Sequence, residues 1–113
     1  MTAIPPGDAI ALLRQLVEVD SRNPSLVPGA PGEGEVARTL AATLTAWGFR
    51  TSLVEAAPGR PNVVARIGRP GGKVLLFNGH LDVVGVDGML HAPFKADERE
   101  GRIYGRGSCD MKG

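Results

Sequence analysis

Lys73-Val74-Leu75-Leu76-Phe77-Asn78-Gly79-His80-Leu81-Asp82 is the stretch on which the fold turns. Val74 to Phe77 is a continuous apolar run, as expected of a strand buried on both faces of an α/β sheet. The run leads directly into His80 and Asp82. If the backbone stays extended there, the period of two places both side chains on the same side. Open α/β sheets bind ligands beyond the carboxyl ends of their strands, so the position favours function. An imidazole can ligate a metal through one ring nitrogen while a carboxylate holds the ring in orientation. Taken alone, such a pair also reads as a loop histidine beside a turn-forming aspartate.

Outward toward the N-terminus, two further extended stretches, Phe49 to Val54 and Asn62 to Ile67, precede the Lys73 to Phe77 strand. Pro58-Gly59-Arg60-Pro61 and Gly68-Arg69-Pro70-Gly71-Gly72 punctuate the three. Before them the period is helical. Val36, Leu40, Leu44 and Trp47 fall on one face of a helix starting near Glu33, with Gly48 where a left-handed residue is wanted. Ile10, Leu13 and Leu16/Val17 mark an earlier helix, capped by Asp8 and ending near Asp20. Ser21 to Ser25 and Pro28 to Gly32 read as loop between the helices.

Outward toward the C-terminus, about 30 residues from His80 to Gly113 show no clear period beyond a short extended piece at Arg102-Ile103-Tyr104. The end of this segment is Gly105-Arg106-Gly107-Ser108-Cys109-Asp110-Met111-Lys112-Gly113. Closely spaced glycines let such a segment fold tightly and aim Asp110 inward. A carboxylate offers two oxygens and can bridge two metal ions. A solvated aspartate on a glycine-rich turn is the plainer reading of those residues alone.

Composition limits the classes. With 113 residues the length suits one modest domain. A 42% hydrophobic and 22% charged chain excludes a disordered tail, a collagen or a coiled coil. Sixteen glycines and nine prolines mean that much of it is turn and loop. A formal net charge of +1 with scattered basic residues gives no basis for binding nucleic acid or an anionic membrane. The single cysteine, Cys109, cannot form an internal disulfide, so a cytoplasmic location is expected. Residues 1–7 lack a basic and apolar leader, and no apolar run approaches a membrane span, so neither a signal peptide nor an anchor is expected.

The blocks Asn78-Gly79-His80-Leu81-Asp82-Val83-Val84, Pro93-Phe94 and Gly101-Arg102-Ile103-Tyr104-Gly105-Arg106-Gly107-Ser108-Cys109-Asp110-Met111-Lys112-Gly113 agree in order and spacing with one family. They resemble the M20 metallopeptidases, two-metal amidohydrolases and exopeptidases that include acetylornithine deacetylase, succinyl-diaminopimelate desuccinylase, aminoacylase and glutamate carboxypeptidase. Ser21-Arg22-Asn23-Pro24-Ser25 after the first helix, the second helix and Gly48-Phe49 match as well, so the resemblance covers nearly the whole chain.

The resemblance implies an α/β fold: residues 1–113 as the N-terminal portion of a three-layer αβα zinc-exopeptidase-like catalytic domain, with the lid and dimerisation domain and the C-terminal half absent. It implies that His80 ligates one zinc, that Asp82 is the catalytic residue that orients the His80 ring and tunes that metal, and that Asp110 bridges two zincs. It also implies a cis bond between Asp110 and Met111. Cobalt or manganese in place of zinc stays open. The implied reaction is hydrolysis of an amide bond in an N-acyl amino acid or small peptide, with a homodimer as a possible state of the full-length protein. The general base and remaining ligands would lie beyond Gly113, so the chain alone is expected to bind zinc weakly and to hydrolyse nothing. Gly85, Met89 and Ala92 depart from frequent family residues, which bears on subfamily and substrate. Cys109 and His91 are not expected to be ligands, and Trp47 is expected in the core. A non-catalytic truncated product acting as an interaction module is the alternative function, and the downstream coding sequence separates the two.

Overall fold

A computed structural model describes residues 3–113 of the chain. Helix α1, Ala9–Val17, begins where Asp8 accepts a hydrogen bond from the Ala11 amide at 2.9 Å. That bond satisfies one of the amides that a helix start leaves without a partner. Helix α2, Gly34–Ala46, ends at Trp47, and Gly48 turns the chain away with φ +92°. A residue with a Cβ resists that left-handed conformation, so glycine is what stops the helix here. Both helices lie where the periodicity puts them.

Strands β1, Arg50–Ala57, and β2, Arg60–Arg66, pair antiparallel around Pro58-Gly59, with Arg50 opposite Arg66 and an irregularity between Glu55 and Ala57. Helix α2 packs on both strands. A second hairpin joins β3, Asp97–Arg99, to β4, Arg102–Tyr104. Its two-residue turn, Glu100-Gly101, has positive φ at both positions, 51° and 73°, as a type I′ turn requires. The architecture is mixed α/β, as expected of this part of an M20 catalytic domain. Its elements form two separate two-stranded antiparallel sheets.

The expected strand at Lys73 to Phe77 is corrected by the structure. The segment is irregular, and Val74, Leu75, Leu76 and Phe77 are 78–91% exposed. A strand exists only where a neighbour takes up its backbone hydrogen bonds, and among the described residues none runs beside this one. Trp47 is likewise only half-buried, its indole nitrogen donating to the Ile4 carbonyl at 2.9 Å.

The core is small and lies under the site. Leu16 and Val17 at the end of α1, Val36 and Ala37 at the start of α2, and Val83 and Ala96 from the irregular half are its buried apolar residues. The site segment closes over it so tightly that a Cβ on Gly105 would run into Val17. A salt bridge between Arg14 and Glu98 ties α1 to β3.

Candidate metal centre

The chain leaving α1 holds the segment that carries His80 and Asp82. Ser21 is fully buried and donates through Oγ to the Leu81 carbonyl at 2.7 Å. The Val83 amide donates to the Ser21 carbonyl at 3.1 Å, and the Asn23 amide donates to the Val83 carbonyl at 2.9 Å. Together these make a parallel bridge between Arg22 and Val83. Two residues before Arg22, Asp20 binds its guanidinium through both oxygens at 2.8–3.0 Å. Burial raises the Asp20 pKa, but the bonds from Arg22 outweigh it and hold the carboxyl below its ordinary value.

The Asp110 segment is held from the C-terminal end of α1 as well. The Lys112 side chain is buried, and its ammonium donates to the carbonyls of Leu16 at 2.7 Å and Val19 at 2.8 Å. These carbonyls lie at the helix end, where acceptors lack intrahelical partners and the dipole favours a cation. Burial pushes the Lys112 pKa down to about 8, partly countered by Asp20. The Lys112 amide also donates to the Gly107 carbonyl at 2.8 Å, closing the turn that contains Asp110. The Asp110-Met111 bond is cis, as the resemblance implied.

These two supports bring His80, Asp82 and Asp110 to one cavity of about 230 Å³, lined also by Val83 and Gly107. His80 Nδ1 is 3.0 Å from Asp82 Oδ1 and 3.0 Å from the Asp82 carbonyl oxygen, and His80 Nε2 is 3.0 Å from Asp110 Oδ1. Oxygen acceptors therefore face both ring nitrogens. A neutral imidazole has one N–H and can satisfy only one of them. The second contact calls for one more proton, on the ring or on Asp110, or for a cation shared by Nε2 and Asp110. Burial lowers the His80 pKa, while the Asp82 carbonyl and the Asp110 carboxylate raise it by more, so it lies above the ordinary imidazole value.

The donor chemistry fits a metal at this place. Two ligands at about 2.0–2.1 Å from a tetrahedral ion lie roughly 3.3 Å apart, close to the 3.0 Å between Nε2 and Oδ1. With Nδ1 turned to the Asp82 oxygens, the Nε2 lone pair is left for the ion. Among the described residues, no group of three or more His, Cys, Asp or Glu side chains gathers to complete a ligand set.

Cys109 is exposed and unpaired. His91 stands away from the cavity, edge-on to Tyr104 with ring centroids 5.4 Å apart. Sequence reading missed Asn23 and Lys112 as parts of the site. Asn23 donates from its side chain to Asp82 Oδ2 at 2.8 Å. The only signal for it was a polar Ser-Arg-Asn-Pro-Ser stretch following a helix.

Residues 76–113, which contain both halves of this cavity, match peptidase family M20/M25/M40. The chain belongs to that family. It is similar to succinyl-diaminopimelate desuccinylase of Gluconacetobacter diazotrophicus, 41% identical over 93% of this chain and 26% of the relative. It is also similar to the succinyl-diaminopimelate desuccinylase of Gluconobacter oxydans, 38% identical over 96% of this chain and 27% of the relative. A third relative is the "probable succinyl-diaminopimelate desuccinylase" of Staphylococcus epidermidis, 34% identical over the whole chain and 27% of the relative. The chain thus spans about a quarter of the length of the curated relatives it matches. None of the described helices is long and apolar enough to cross a membrane.

Proposed function

We propose that this chain carries the first part of the active site of a metal-dependent amide hydrolase acting on an N-acyl amino acid, with an N-succinyl amino acid as substrate. The oxygen acceptors facing both nitrogens of His80 carry the metal reading. The names of the relatives support the succinyl group. In this reading His80 would be a ligand to one of two zincs and Asp110 would serve both, with cobalt or manganese as alternatives. Bound metal would polarise the scissile carbonyl and lower the pKa of a water molecule.

The chain's own residues prepare that chemistry. Asp82 keeps the proton of the neutral ring on Nδ1 and leaves Nε2 free as a donor. Asp110 turns one oxygen to His80, and its side chain is 87% exposed, leaving the second oxygen open for another ion. Hydrolysis breaks the acyl C–N bond; water supplies hydroxyl to the acyl carbon and a proton to the departing amine. The reading includes a cytoplasmic location and a homodimer of the full-length protein. The exposed Val74–Phe77 run is then a surface that the rest of a longer catalytic domain covers. That same surface is the one observation favouring the alternative, a non-catalytic interaction module.

Elemental analysis of dialysed full-length protein tests the assignment. Asp110→Ala loses more zinc than Asp82→Ala, because a bridge serves two metals and an orienting group touches none. Equal zinc content in the two variants sinks the assignment. Cleavage of an N-succinyl amino acid by the unaltered protein separates the enzyme from the interaction module.

A further inference from the structure

We propose that Asn23 is a positioning residue of this centre, acting on His80 through Asp82. The inference rests on the metal reading above and adds to it the group that fixes the orienting carboxylate. Asn23 Oδ1 accepts from the Ser25 amide at 2.8 Å, while its Nδ2 donates to Asp82 Oδ2 at 2.8 Å. With the amide oxygen occupied by an N–H, the NH2 group must face the carboxylate, so the orientation of Asn23 is set from both ends. The carboxylate is held in turn: Oδ2 takes the Asn23 proton and Oδ1 stands 3.0 Å from His80 Nδ1.

This task is separable from holding the backbone. The Ser21–Val83, Asn23–Val83 and Ser21–Leu81 bonds use no atom of the Asn23 side chain. Without that side chain the Leu81–Val83 segment keeps its place, but the broad terminal torsion of Asp82 is released. Asparagine also suits the position chemically. A lysine or arginine would neutralise Asp82, whereas a neutral donor fixes the carboxylate and leaves its charge to strengthen the basicity of His80 Nε2.

The test is a double-mutant cycle on the full-length protein with two readouts, zinc affinity and the ring ¹⁵N resonances of His80 in the metal-free state. Asn23→Ala should shift the Nδ1 resonance toward its position in Asp82→Ala and weaken zinc binding roughly 3- to 10-fold, at or below the effect typical of a direct orienting partner. Asn23→Asp keeps the acceptor for Ser25 and removes the donor to Asp82, so it should shift the resonance too while preserving the turn. The double variant Asn23→Ala/Asp82→Ala should bind zinc no more weakly than Asp82→Ala, because Asn23 has no other route to the ring. An unmoved His80 resonance in both Asn23 variants, with Asp82→Ala displaced, overturns the proposal. So do fully additive losses. If the unaltered protein takes up no zinc while the resonance coupling persists, the metal reading fails and the Asn23–Asp82–His80 linkage stands.

Discussion

Residues 34–66 and residues 78–113 are held together in opposite ways. In the first region α2 satisfies itself by its own ladder, β1 and β2 pair across a two-residue turn, and the helix packs on both strands. In the second region few backbone groups pair locally beyond the short β3–β4 hairpin. Its position depends on bonds to residues far away in sequence: the backbone bonds of Val83 with Ser21 and Asn23, Ser21 Oγ to Leu81, and Lys112 to the end of α1, the side-chain bonds spanning 60 to 96 residues. A ladder spreads its stability over many equivalent bonds, so losing one matters little. A tether concentrates it, so the cavity around His80 and Asp110 should be the region most sensitive to single substitutions.

The largest effect is expected at Lys112. Lys112→Met keeps most of the buried aliphatic stem and removes both bonds to Leu16 and Val19. The Val19 carbonyl then loses the ammonium beneath a closed surface, at about 1–3 kcal/mol before relaxation, and the Leu16 carbonyl is left with backbone amides alone. Urea unfolding should show a loss of about 2–4 kcal/mol. A loss below about 0.5 kcal/mol would mean that the Asp110 turn is not hung from α1, and the contrast between the regions would fail.

A side-chain contact inside the self-satisfied region should give a smaller, pH-dependent effect. Glu33, at the start of α2, pairs with Arg60 at the start of β2, and Arg60 Nε donates to Oε2 at 2.9 Å. The Arg60 hydrogen bonds, opposed by burial, hold the Glu33 carboxyl below its ordinary value of 4.5. The folded state therefore binds its proton less readily than the unfolded chain. Its stabilisation is present in full above the ordinary value and is lost as pH falls through the lower, folded-state value. Glu33→Gln should remove about 1 kcal/mol at pH 7 and flatten this part of the acid limb. Unfolding curves of equal slope below pH 4.5 in both proteins would place the acid sensitivity elsewhere.

The same contrast accounts for what the sequence reveals. Asp8, Gly48 and the apolar spacing of both helices are local signals, and local physics forms those elements. The β1–β2 hairpin is legible for the same reason. Val74 to Phe77 has the composition of a buried strand, but strand formation depends on a neighbour, which four residues cannot supply. Asp97-Glu98-Arg99 carries no strand period because all three are charged; only the Glu100-Gly101 turn hints at the hairpin. His80, Asp82 and Asp110 were singled out by residue type and by the family resemblance. Asn23 and Lys112 were not, because their partners are 59 and 96 residues away and no spacing rule joins them.

The smallest effect is expected within the self-satisfied region, and it sharpens the comparison most directly. Val54 lies opposite Asn62 in the hairpin and is 50% exposed. Val54→Thr keeps the β-branched shape that suits a pleated strand and leaves every ladder bond intact. The hydroxyl points into a surface already half in water, so it need not be desolvated. Unfolding should change by no more than about 0.5 kcal/mol, several times less than at Lys112. A loss approaching that of Lys112→Met would show that this face is covered, and that the hairpin too depends on distant partners.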